Sequence, residues 1–335
     1  FGPPISPRAT LIRAIKGEPV WLPSTFDYAY LCPECVPDNP AKGNVMDAML
    51  PPEKLGGKDM FGIEWEYVAD IGGSTTRPGN PLLSDANEWK EKVNFPTKEF
   101  IDSWDWAEMK RRTKVQIREG DFREIIICTG YFERLISFMD FEEAAVAMID
   151  EDQQDAIKEL FGCLSDLYIN LINKYLDVLG AGNVDAVCLH DDWGHQRGIF
   201  FSADTLREMV VPYMRRVTDY IHEKGMIAEC HSCGKVDSLL PLYVEAGFEM
   251  LECQSLLDFD KDVPAYGDKL LMHVSPDVPP LDAPEGEHIQ AARQFVDKMI
   301  SYGNPFLMDN YYSPYLLSRV FCDEVYRYSR QQLAK

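Results

Sequence analysis

The sequence predicts an α/β fold, a parallel (β/α)8 (TIM) barrel with N-terminal elaborations, formed as one domain by residues 1–335. Three observations carry that expectation. From about residue 125 onward, short apolar runs alternate with amphipathic helical patterns, the signature of βα units and a parallel sheet. No Gly-x-Gly-x-x-Gly follows any of these runs, which argues against a dinucleotide-binding sheet. Metal-ligating or acidic side chains stand just after one run after another, where a barrel builds its active site.

The elements follow in order. Ser6-Pro7 opens a helix, a hydroxyl cap followed by proline in the first turn, and Gly17 closes it. Pro19-Val20-Trp21-Leu22 reads as a short strand. Residues 23–44 form a long loop rich in proline and aromatics, a length typical of lids and binding loops. Its Cys32-Pro33-Glu34-Cys35 could be a redox pair or half a zinc site, and reads rather as incidental thiols in a packed loop. Residues 61–68 alternate as a strand in a hairpin excursion that turns at Gly72-Gly73, and 97–120 read as helix. The apolar runs 125–128, 184–189, 226–230, 248–251, 270–272 and 305–308 are then separated by helical patterns. These lie at 141–179 (two helices), 203–224, 236–246 and 284–302, with another at the C-terminus. Roughly six βα units, with the N-terminal strand and helix added, approach the eight of a barrel.

Composition narrows the function classes. The chain is 46% apolar and 26% charged, as expected for a globular protein with a well-buried core. Its 33 basic residues against 55 acids leave a net charge of −22, which repels nucleic acid and anionic membranes and disfavours a polyanionic substrate. The 9 cysteines are odd in number, and several (Cys128, Cys188, Cys230, Cys253) lie in apolar runs, so they read as reduced and the location as cytoplasmic. No apolar run approaches the roughly 18 residues of a membrane span. A homo-oligomer is compatible with the sequence.

The most informative stretch is His231-Ser232-Cys233-Gly234, between an apolar run and the next helical pattern. Alternate side chains of an extended segment leave the same face, so imidazole and thiolate here could grip one zinc ion. A catalytic zinc takes three protein ligands and keeps a position open. Glu252 and His273, on the next strand ends, are the further expected ligands, with Cys253 or Asp309 in reserve. His190 and Asp191 follow Val187-Cys188-Leu189 and are the expected catalytic acids. Asp191 and Asp192 are adjacent, so only one of them enters the pocket. Trp193, Phe26 and Tyr28 are the expected substrate-binding residues, as an aromatic lining for a flat ligand.

These residues, in this order, resemble the uroporphyrinogen decarboxylase superfamily, and within it the cobalamin-dependent methyltransferases. The resemblance starts at Arg8-Ala9-Thr10-Leu11-Ile12-Arg13-Ala14-Ile15-Lys16-Gly17-Glu18-Pro19-Val20. It is strongest from Asp191-Asp192-Trp193-Gly194 through Val211-Pro212-Tyr213 and His231-Ser232-Cys233-Gly234-Lys235 to Ser275-Pro276-Asp277. It implies a (β/α)8 barrel and a zinc-dependent transfer of a methyl group between a small methyl donor and the cobalt of a corrinoid on a separate partner protein. A methoxylated aromatic is one such donor. The decarboxylase branch carries arginines after the first strand for its substrate's carboxylates, whereas this chain reads Ser24-Thr25-Phe26-Asp27-Tyr28-Ala29 there. The methyltransferase branch carries a His-x-Cys zinc motif, matched by His231 and Cys233. Its usual third ligand is a cysteine near the last strand, where this chain has Met308-Asp309-Asn310. A metal-free decarboxylase is the alternative reading.

Overall fold

A hydroxyl cap at Ser6, whose Oγ accepts from the Ala9 N–H at 3.2 Å, starts the first helix, Pro7–Ile15, as the sequence predicts. In the computed structural model, residues 4–70, 72–304, 306–309 and 317–334 are described. After β1 (Tyr28–Leu31) the chain makes an excursion through β2 (Gly56–Lys58), β3 (Glu64–Val68) and β4 (Gly73–Thr76), three short strands paired antiparallel. It then lays down β5 (Phe122–Ile127), β6 (Ala186–His190), a two-stranded ribbon of β7 (Gly194–His195) and β8 (Gly198–Ile199), and β9 (Ile227–Ser232). β10 (Met250–Cys253), β11 (Leu271–Val274) and β12 (Leu307–Met308) follow, with helices between.

The central sheet has seven strands in the order β1-β5-β6-β9-β10-β11-β12, all parallel. It is curled: a parallel bridge from Ser24 to Met308 and a 2.9 Å hydrogen bond from the Met308 N–H to the Pro23 carbonyl bring the chain before β1 against the last strand. Among the described residues no eighth strand joins it, which differs from the expected barrel. The apolar run at 19–22 is not a strand. Its Trp21 packs edge-on against Tyr326 of the C-terminal helix at 5.3 Å, and the Leu22 N–H donates to Ser329 Oγ at 3.1 Å. The run is apolar because it seats that helix. Pro305, placed in the last expected strand, lies outside the described residues.

Strand parity sorts the core. Ile125, Ile127, Val187, Leu189, Cys230, Leu251 and Cys253 face outward into a large cluster shared with the surrounding helices. Tyr28, Phe122, Ala186, Met250, Leu271 and Leu307 face inward, where Leu11 and Ala14 of the first helix plug the amino end of the sheet. The expected helix at 97–120 is two, Lys98–Asp102 and Trp106–Gln116, because Asp105 caps a new start by accepting from the Glu108 N–H. Residues 141–179 do form two helices, Phe141–Ala147 and Glu151–Leu179. No described helix is long and apolar enough to cross a membrane.

Candidate functional site

Parallel register places the site. Across β6, β9 and β10 the partners His190↔His231 and His231↔Glu252 stand side by side at the carboxyl edge. The two imidazoles consequently lie with centroids 4.3 Å apart. His231 Nδ1 approaches Glu252 at 3.1 Å, and His190 Nδ1 approaches Glu133 at 2.8 Å and the Cys128 carbonyl at 3.1 Å. Each ring is thus held at Nδ1 by a carboxylate. His231 Nε2 is 3.3 Å from the Cys233 sulfur, and His190 Nε2 is 3.9 Å from Asp192. Asp192 in turn accepts from the Cys233 N–H at 2.6 Å, tying the two strand ends together. The turn after Cys233 needs glycine: Gly234 has φ +91°, and a Cβ there would lie 2.3 Å from the Gly194 backbone.

These groups line a cavity of about 450 Å3. Its walls include Tyr30, Lys42, Asn44, Met46, Ile126, Cys128 and Glu133, so the excursion between β1 and β5 supplies part of it. Lys42 is bound to Glu133 at 2.9 Å and lies 5.0 Å over the Trp65 ring.

The electrostatics follow from burial and pairing. Burial and the neighbouring His190 both oppose charge on His231, but Glu252 and Cys233 carry its pKa up to about 10. Burial likewise opposes charge on His190, and Glu133 outweighs it, lifting the pKa to about 9. Burial opposes ionisation of Glu252 and Glu133; His231 for the first, and His190 with Lys42 for the second, hold both at about 2. Burial pushes the Cys233 thiol up, partly offset by His231.

The donor set fits a zinc-type ion. Imidazole, thiol and carboxylate are zinc's ordinary ligands, and a carboxylate behind each imidazole is the usual support for a metal-bound histidine. Ligand atoms of His190, Asp192 and His231 all lie within 4.8 Å of one another, and Cys233 touches His231. Of the four residues expected from sequence as ligands, His231 and Cys233 meet at the cavity and Glu252 stands behind His231. His273 does not join them: it is buried deeper, its Nε2 2.6 Å from Glu229, whose carboxylate also accepts from the Tyr28 hydroxyl at 3.2 Å. Cys253 faces outward, and Asp309 accepts from Ser275 Oγ at 3.1 Å. Asn310 lies outside the described residues.

Of the two expected acids, His190 lines the cavity and Asp191 does not. Asp191 is fully buried and points at the start of helix Phe132–Met139, accepting from the N–H groups of Phe132 (3.3 Å) and Glu133 (3.0 Å) and from Trp193 Nε1 (3.0 Å). Burial and the like charge of Glu133 lift its pKa to about 7 against the pull of those donors. Asp192 is the carboxylate that faces the cavity. Asp191→Ala should therefore cost about 2–4 kcal/mol of stability in denaturant unfolding, and Asp192→Ala less than about 1 kcal/mol. The reverse order would contradict this division.

The aromatic lining also differs from expectation. Trp193 is buried against Tyr243 with centroids 4.5 Å apart, Tyr28 sits lower in the interior, and Phe26 is 48% exposed. None of the three lines the cavity; Tyr30 does. Glu133, Lys42 and Cys128 were missed in the sequence. Only Cys128 carried a signal, its place at the end of the apolar run 125–128.

Residues 59–308 match the family of uroporphyrinogen decarboxylase (URO-D). The chain belongs to that family. Among solved structures, this URO-D family member is similar to a methyltransferase from Methanosarcina mazei, at 14% identity and a TM-score of 0.62, over 99% of this chain and 100% of that one. At that identity the likeness is one of fold. An archaeal fructose 1,6-bisphosphate aldolase is 12% identical, covers 48% of this chain and 62% of its own, and has a TM-score of 0.30. A D-psicose 3-epimerase studied with D-fructose is 13% identical, covers 70% and 84%, and has a TM-score of 0.34. No curated protein matches the chain in sequence.

Proposed function

We propose that this URO-D family member is a zinc-dependent methyltransferase of the corrinoid branch, moving a methyl group between a small methyl donor and the cobalt of a separate corrinoid protein. One observation carries the reading: two histidines on neighbouring strands, each held at Nδ1 by a half-buried carboxylate, meet the Cys233 thiol and Asp192 at one cavity. Zinc held by His231, Cys233 and Asp192 would supply Lewis acidity toward an oxygen or sulfur of the substrate. Glu252 fixes the ring of His231, and Glu133 with Lys42 fixes that of His190. Held at Nδ1 by Glu133 and the Cys128 carbonyl, His190 turns Nε2 toward Asp192 and would deliver a proton to the departing alkoxide or phenoxide.

Charge and size favour a small, uncharged donor such as a methoxylated aromatic. No arginine is among the described residues lining the cavity, and its one lysine, Lys42, is paired with Glu133. Three carboxylates, Glu133, Asp192 and Glu252, share the walls, which opposes the polyanionic substrate of a metal-free decarboxylase. We further infer that the curled sheet closes as a barrel through the Ser24–Met308 bridge.

The test incubates the purified chain with zinc, reduced corrinoid and a panel of methoxylated aromatics, and follows cobalt methylation by visible absorption. Methylation that stops on zinc chelation is expected. Decarboxylation of a porphyrinogen by chelated protein, with no methylation from any donor, would overturn the reading.

A further inference from the structure

The CxxC of the first loop pairs Cys32 with Cys35 in sequence, but the structure sets Cys32 against Cys128, 96 residues along the chain, with the sulfurs 3.5 Å apart. Each cysteine directly follows a strand, β1 for Cys32 and β5 for Cys128, and these two strands are parallel neighbours. Their carboxyl ends therefore present the two side chains to one another. We propose that Cys32 and Cys128 are a redox-active pair that closes reversibly into a disulfide at the cavity wall.

The surroundings suit a stepwise closure. Cys128 lines the cavity, whereas Cys32 is fully buried behind it. Polar partners surround both sulfurs: Cys32 Sγ is 2.7 Å from the Asn44 carbonyl, and Cys128 Sγ is 3.2 Å from Asn39 Oδ1 and 3.6 Å from Asn44 Nδ2. A disulfide needs the sulfurs at about 2.05 Å, so closure from the observed contact requires only a small movement of the side chains. Neither thiol belongs to the proposed zinc donor set, and the pairing does not depend on methyl transfer.

A small disulfide entering from the cavity is the oxidant class the geometry admits. The Cys128 sulfur attacks one sulfur of that molecule, forming a mixed disulfide and releasing the first small thiol. The Cys32 sulfur then attacks Cys128 and releases the second. The two cysteine protons leave with the two released thiols; the small disulfide gains two electrons and the cysteine pair loses two. Closure would tie Met46, which lies in the cavity wall and donates its N–H to the Cys32 carbonyl at 2.8 Å, to the end of β5, next to the Cys128 carbonyl that His190 Nδ1 approaches.

The experiment treats the reduced, folded, full chain with 2-hydroxyethyl disulfide, a small uncharged disulfide, alkylates the remaining thiols, and maps tryptic peptides by mass spectrometry. Residues 17–42 should appear linked to 124–134, with fragmentation placing the bond on Cys32 and leaving Cys35 alkylated, and dithiothreitol should separate the peptides. In Cys32→Ser the reaction should stop at a mixed disulfide of 2-mercaptoethanol on Cys128, and in Cys128→Ser the linked peptide should be absent. The wild-type map does not depend on either variant folding. A link through Cys35, or no linked peptide in oxidised wild-type protein, overturns the proposal.

Discussion

His231→Ala is expected to lower zinc affinity at least ~100-fold, and Glu252→Gln by about 10–100-fold, when each is titrated against a competing chelator. The first removes a nitrogen ligand that lies 3.3 Å from the Cys233 sulfur; the second removes the carboxylate that fixes the ring at 3.1 Å. The pH dependence has a definite sign. A protonated imidazole or thiol cannot ligate, so zinc must displace the proton that His231 holds up to about pH 10 and that of the Cys233 thiol, whose pKa burial raises. Below those values each unit fall in pH should weaken binding about tenfold per proton displaced. Affinity should therefore keep rising well past pH 7, where an ordinary histidine of pKa about 6.5 would already have levelled off. Wild-type protein that takes up no zinc at pH 8, or that binds it as tightly without His231, would end the metal assignment.

What was legible in the sequence is what strand periodicity encodes. His231 and Cys233 could be placed together because residues two apart on an extended chain share a face, and the structure brings them to one cavity. The same rule said that only one of Asp191 and Asp192 enters the cavity, but not which one. That choice is made by tertiary packing: Asp191 is claimed by the open N–H groups at the start of helix Phe132–Met139, with Gly130 leaving room for its carboxyl group. Glu133 and Lys42 had no pattern at all. Each is defined by a partner far along the chain, His190 for Glu133 and Glu133 for Lys42, and no periodicity reports such pairs. His273 shows the converse. It occupies a strand-end position in sequence, but β11 sets it lower in the interior, where Glu229 takes its ring. The run at 19–22 misled because burial against a helix and burial in a sheet leave the same apolar signature.

Arg134→Met should cost about 3–5 kcal/mol, because it leaves two buried carboxylates without their cation. Arg134 is fully buried on helix Phe132–Met139, and its guanidinium binds Asp38 and, at 2.5 Å, Asp59. Asp38 also accepts from the Met60 N–H at 3.0 Å, and Asp59 from the Phe61 and Ile63 N–H groups at 2.9 Å and from Trp65 Nε1 at 3.0 Å. One side chain thus fastens helix Asp38–Lys42 and the approach to β3 onto the main body, and with them the cavity residues Lys42 and Asn44. Burial already raises the Asp38 pKa in spite of Arg134, and removing the guanidinium leaves Asp59 to raise it further. A carboxyl whose folded pKa is raised contributes stability below its unfolded pKa of about 4 and loses it as pH rises through the folded value. The deficit of Arg134→Met should therefore be smaller at pH 5 than at pH 8 in denaturant unfolding. Adding Asp38→Asn and Asp59→Asn should recover much of it, since apolar or neutral replacement of a whole buried ion cluster is tolerated better than loss of one partner. Amide exchange over residues 56–76 should quicken in the single variant, showing that the excursion loosens before the sheet does. An Arg134→Met protein within about 1 kcal/mol of wild type at pH 8 would mean that the guanidinium is dispensable, and that the N–H donors to Asp38 and Asp59 alone hold the excursion in place.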